Sequence, residues 1–71
     1  MKPAKPLDAL KELNETQILV RLKNGMEIQG KLKAYDIHIN LVLEDAEFQD
    51  GDVNKKFKHL FLRGDMVLFI S

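Results

Sequence analysis

The chain predicts an all-β fold, a small and strongly curved antiparallel barrel behind one short helix. Three observations predict it. Apolar and polar residues alternate with period two through the first long runs after residue 16, the pattern of half-buried strands. Asn24-Gly25 and Gly64-Asp65 are turn signals placed between such runs, as hairpins require. Gly30 interrupts the second run, where a missing side chain permits a sharp bend or a close backbone approach.

The elements follow in order. Residues 1–5 are expected to be a loose tail, and 6–71 a single domain. Pro6 suits a first helical position, Asp8 favours the first turn, and Leu7, Leu10 and Leu13 form one apolar stripe that stops at Asn14. This helix of about two turns needs packing to be stable. Ile18, Val20 and Leu22 make the inner face of a first strand, and Asn24-Gly25 reads as a two-residue hairpin turn. Met26, Ile28, Leu32 and Ala34 continue one face of the second strand. The third strand is expected over 39–43, the fourth over 56–63 and the fifth over 66–70. Glu44, Asp45, Glu47, Asp50 and Asp52 carry no basic residue among them and read as a solvated loop before Lys55, Lys56 and Lys58.

The last two strands are apolar on both faces, through Leu60-Phe61-Leu62 and Met66-Val67-Leu68-Phe69-Ile70. A small barrel has one interior, so something must cover the outside. Two turns of helix cannot shield two strands. A neighbouring subunit pairing with an exposed edge strand is the economical cover, and repeated head to tail such pairing closes into a ring.

Seventy-one residues stand near the lower limit for folding around one core. There is no cysteine, which removes disulfides and thiolate metal sites and fits a reducing, cytoplasmic compartment. No apolar run reaches the roughly 18 residues that span a bilayer, and no signal-peptide core follows Met1, so no membrane partner is expected. Eleven basic and eleven acidic residues cancel, leaving none of the broad positive field of a general nucleic-acid binder.

The residues that carry chemistry fall in two segments, Asp36-Ile37-His38-Ile39-Asn40 and Arg63-Gly64-Asp65. Taken singly, each reads as an ordinary turn. On an extended segment, however, Asp36, His38 and Asn40 would share one face while Ile37, Ile39 and Leu41 point into the core. An imidazole offers a flat surface for a base, a contact worth roughly 1–3 kcal/mol in stacking systems. A guanidinium offers another, so His38 and Arg63 could sandwich one base. The Asn40 carboxamide can accept from a base N–H and donate to a base carbonyl, as uracil presents at N3 and O4; cytosine presents the reverse. A carboxylate such as Asp65 only accepts, and bonding the second amide hydrogen would lock the orientation that favours uracil.

Read together, these segments resemble the Sm and Sm-like (Lsm) family. Residues 18–25, Gly30-Lys31-Leu32 and 35–47 are similar to its first motif, and Leu62-Arg63-Gly64-Asp65-Met66-Val67 to its second. Pro6-Leu7-Asp8 before a short helix resembles the archaeal branch. The resemblance implies the Sm fold, an N-terminal helix on a five-stranded, bent, SH3-like barrel. It further implies a homo-oligomeric ring, usually a heptamer, closed by pairing the fourth strand with the fifth strand of the neighbour. The implied ligand is uridine-rich single-stranded RNA, bound at the pore in RNA processing or ribonucleoprotein assembly. By position, His38 and Arg63 would stack the base, Asn40 would bind its edge, Asp65 would orient Asn40, Asp36 would shape the loop, and Gly64 would let the turn approach the pore. Met66 departs from the small or polar residue often found there, and 48–59 match less closely.

Other functions fit less well. An Hfq-like hexameric RNA chaperone would share the ring, but Lys58-His59 here precedes Arg-Gly-Asp instead of forming that branch's second motif. His38, His59, Asp36 and Asp65 match no metal spacing, and neither a nucleophile elbow nor a phosphate-cradling glycine loop is present, so no catalysis, metal or cofactor is expected. An SH3-like protein-interaction module needs clustered aromatics, whereas this chain has one tyrosine and no tryptophan. Because the chain is neutral, its RNA binding is expected to weaken only shallowly with salt. Titration of oligouridylate at rising salt checks this; a slope as steep as that of a protein making many phosphate contacts would contradict it.

Overall fold

The structure, a computed structural model, describes residues 6–71, and the loose tail expected at 1–5 lies outside them. Helix α1 spans Pro6–Leu13. Five strands follow: β1 Gln17–Leu22, β2 Glu27–Tyr35, β3 Leu41–Asp50, β4 Val53–Leu62 and β5 Val67–Ile70, with a short 3-10 turn at Gly64–Met66. All pairings are antiparallel, and the order across the sheet is β4-β3-β2-β1-β5. β4 and β5 therefore lie at the two ends of the sheet, each with one open edge.

The bend arises where the ladder slips. Between β2 and β3 the register shifts at Gln29/Lys31 and again at Leu32/Ala34. Gly30 sits at the first slip, where a Cβ would come 3.1 Å from that of Leu43 and 3.3 Å from the Ala46 Cα. Bulges of this kind bend the strand and raise its local twist. The second slip turns Ala34 outward, contrary to the face it is expected to share with Ile28 and Leu32, and leaves Tyr35 packed against the core.

One core fills the curve. Ile18, Val20 and Leu22 of β1 meet Ile28 and Leu32 of β2 and Leu41, Leu43 and Ala46 of β3, all buried. Leu10 of α1 is buried with them and Leu13 packs against them, while Leu7 is 38% exposed. The helix ends as Glu15 takes a φ of 67°. The Glu15 N–H then donates to the Leu32 carbonyl at 2.7 Å, and the Leu32 N–H to the Thr16 carbonyl at 2.9 Å, hooking the helix exit onto β2.

The two strand turns after β1 and β3 differ from expectation. Asn24-Gly25 belongs to a three-residue loop, Lys23–Gly25: the Leu22 N–H donates to the Met26 carbonyl, and Gly25 donates back to Leu22. The two-residue turn is Gly51-Asp52, closing Asp50 against Val53. β3 thus runs on through the acidic stretch that read as a solvated loop. Ala46 is buried and Phe48 half-buried there, enough apolar alternation to hold a strand. The acidic residues face the lysines of β4, with Asp50–Lys55 at 3.1 Å and Asp45–Lys58 at 3.7 Å. Such exposed pairs contribute little energy each and mainly keep like charges from lying opposite one another.

The doubly apolar strands are exposed as their sequence requires. Phe61 is 74% exposed and Leu68 61%, and Phe57, Met66 and Phe69 are also on the surface. α1 does not cover them. No helix among the described residues is long and apolar enough to cross a membrane.

Candidate nucleic-acid interface

Two segments that are distant in sequence meet at the end of the sheet. The chain leaves β2 at Tyr35 and enters β3 at Leu41, and the five residues between them do not continue either strand. The Ile39 N–H donates to the Asp36 carbonyl at 3.0 Å, closing a tight turn, and Ile39 adopts a φ of 63°. This corrects the extended segment inferred from sequence. Leu41 is buried and Ile39 packs against the core, but Ile37 is 73% exposed at the tip of the turn.

Asp36 organises the turn with both carboxylate oxygens. Its Oδ1 accepts from the backbone N–H of His38 at 2.8 Å and of Asn40 at 3.1 Å, and its Oδ2 accepts from Asn40 Nδ2 at 3.0 Å. Short polar side chains favour such local bonds because they substitute for a backbone ladder. These bonds hold the Asp36 carboxyl below the ordinary 3.8: the Asn40 amide is the largest cause, opposed by partial desolvation and reinforced by the two backbone donors.

Arg63-Gly64-Asp65 closes the site from the other side. The Gly64 N–H donates to Asn40 Oδ1 at 2.7 Å, across 24 residues of sequence. Gly64 is needed here for space: a Cβ would collide with the His38 carbonyl oxygen and lie 2.8 Å from its carbon. The sequence reading had Gly64 serving the approach to a pore; its contact in the structure is with the His38–Ile39 peptide.

His38, Asn40, Arg63, Gly64 and Asp65 together line an open depression of about 430 Å3. All the residues singled out from sequence are thus brought together, Asp36 through its bonds to Asn40. One role moves. The second contact that orients Asn40 comes from Asp36, not Asp65, whose carboxylate lies 3.2 Å from the Arg63 guanidinium. That pair is largely exposed and holds Arg63 only weakly.

The Asn40 carboxamide is therefore unambiguous. A backbone N–H can only donate, so the atom facing Gly64 is the oxygen; a carboxylate can only accept, so the atom facing Asp36 is the nitrogen. One oxygen lone pair and one amide hydrogen remain for a ligand. Among the described residues, no group of three His, Cys, Asp or Glu is close enough to hold a metal ion. Another depression, of about 400 Å3, shares no residue with the first; its Glu27 is already paired with Arg21 and its Glu47 with Asn54.

Comparison with known proteins agrees with this geometry. The LSM domain profile matches residues 8–71. An Sm-like protein of Methanosarcina acetivorans is 48% identical over 68 residues, covering 94% of each chain. The Sm protein of Pyrococcus abyssi, solved in complex with a uridine heptamer, is 48% identical with a TM-score of 0.86, over 94% of this chain and 96% of that one. A heptameric archaeal Sm protein is 41% identical with a TM-score of 0.81, over 89% and 93%.

The low Asp36 pKa sets the acid limit of the site. A depressed carboxylate contributes its order fully above the unfolded value and loses it as pH falls through the folded one. The change in the backbone amide signals of His38 and Asn40 should therefore be centred below pH 3.8. An NMR titration with the change centred above that value would contradict the assignment.

Proposed function

This chain belongs to the LSM domain family, and from that premise we propose that it forms a homoheptameric ring binding uridine-rich single-stranded RNA at its pore, without catalysis. The observation that carries the ligand is the fixed carboxamide of Asn40. Its free oxygen lone pair accepts the uracil N3–H and its free amide hydrogen donates to O4. Cytosine offers an acceptor at N3 and a donor at N4, and would meet like against like. His38 and Arg63 stack the base from its two faces. Asp36 and the Gly64 N–H hold Asn40, and Asp65 restrains Arg63.

The ring is supported by the two open edges. β4 and β5 carry most of the exposed large apolar residues, and pairing β4 with the β5 of the next copy brings both edges into one contact. The contact is heterologous, so it repeats until the rotation closes. Identical pockets around one pore raise affinity for a uridine run by up to roughly 10²–10⁴ through effective concentration. This affinity needs no basic field, in keeping with a net charge of zero. We assign the work to RNA processing or ribonucleoprotein assembly in the cytoplasm.

The base preference tests this assignment. Good bidentate pairs discriminate by about 1–3 kcal/mol per base. Asn40→Ala removes the carboxamide that reads the base edge and should cut the preference for oligouridylate over oligocytidylate by about tenfold or more. Asp65→Asn should leave that ratio unchanged, whatever it does to overall affinity. Fluorescence anisotropy with labelled oligonucleotides of equal length measures both; an unchanged ratio in Asn40→Ala would remove the basis for uracil recognition.

A further inference from the structure

The base pocket shares a wall with a second, apolar groove. That groove, of about 280 Å3, is lined by Leu10, Ile39, Gly64 and the consecutive residues 67–70 of β5. Successive side chains of a strand face opposite sides. Four in a row can border one groove only along the strand's open edge, where a pairing strand would lie. Gly64 belongs to both depressions, and Ile39 is bonded directly to His38 and Asn40, which line the base pocket.

Ile39 is also the most strained residue of the site. A β-branched side chain at a φ of 63° is held in the left-handed region against its own preference. Its backbone is tied to Asp36, but its side chain is only partly buried, on the side that faces the groove. The other flank of the same turn borders a neighbouring depression, where Asp36 and Asn40 stand with Tyr35 and the exposed Phe61 of β4. The recognition turn therefore lies between the two edges that the ring would join.

We propose that the β4 edge of the next copy fills the groove beside β5 and clamps Ile39, so that each base pocket is completed by the neighbouring subunit. The occupant is a second copy because β4 and β5 are the sheet's two open edges and both carry exposed apolar side chains. Ile39 is then a positioning residue: it touches no base and acts by fixing the peptide that presents His38 and Asn40. Coupling of this kind is reciprocal, so an occupied pocket strengthens the ring as the ring strengthens the pocket. It also differs from multivalency, because it improves each single pocket. The inference rests on the ring proposed above.

Uridine 5′-monophosphate separates the two effects, since it fills one pocket and cannot bridge two. Its affinity is measured by NMR titration for the wild-type protein, Ile39→Ala, Ile39→Val and Leu68→Arg, with the assembly state of each read by native mass. Leu68→Arg places a charge on the β5 edge and yields monomers. Those monomers should bind the nucleotide roughly 5–150-fold more weakly than the ring does, Ile39→Ala should remain a ring yet lose about tenfold, and Ile39→Val should stay within about twofold of wild type. Folded monomers with the affinity of the ring would overturn the proposal, as would an Ile39→Ala ring that binds like wild type. Where Leu68→Arg fails to fold, the two Ile39 variants decide. A wild-type monomer would instead sink the ring, and a wild-type ring that ignores the nucleotide would sink the base pocket; each takes this proposal with it by a distinguishable route.

Discussion

The contact on which the rest depends is the hydrogen bond from the Gly64 N–H to Asn40 Oδ1, 2.7 Å across 24 residues of sequence. It forms because position 64 has no side chain to hold the two turns apart. It joins the β2–β3 connection to the β4–β5 connection at the same end of the sheet. It also settles which end of the Asn40 carboxamide is oxygen, a question that a carboxylate partner alone answers from one side only. Asp36 answers it from the other. Loop order and the gathering of His38 and Arg63 around one depression follow from that pair of bonds, and the proposed base selection rests on them.

A small domain reaches this arrangement by leaving its own stabilisation incomplete. The sheet has two open edges, and its apolar surplus sits on the strands that own them. In a monomer these features are liabilities; in a closed ring they are the interface. The neutral charge balance fits the same economy. In the proposed ring, affinity would come from repeated shape-specific pockets, and phosphate attraction need not dominate.

Much of this was legible in the sequence. Period-two alternation located β1 and the first half of β2, and doubly apolar runs marked the strands that need a neighbour. Resemblance to the Sm and Sm-like family gathered His38, Asn40, Arg63, Gly64 and Asp65 into one site, and the structure brings them around one depression. The misses have local causes. Period-two reasoning assumes an extended backbone, and the Asp36 carboxylate bends 36–40 into a turn, leaving Ile37 outside. The slip between Leu32 and Ala34 reverses a face that no single strand can announce, since a bulge depends on both partners. The acidic stretch read as loop because charge outweighed the modest apolar signal of Ala46 and Phe48. The orienting role fell to Asp36 instead of Asp65 because two side chains of equal chemistry are told apart only by distance. Ile39 looked like core and nothing more; its positive φ is invisible in the sequence.

The measurement that bears most directly on a ring of uracil-selective pockets is native mass spectrometry of the purified protein, alone and with oligouridylate or oligocytidylate of equal length. The proposed function predicts seven identical copies without RNA, and the same assembly carrying oligouridylate but little oligocytidylate. A monomer in all three samples, or a ring that takes up both RNAs equally, would contradict it.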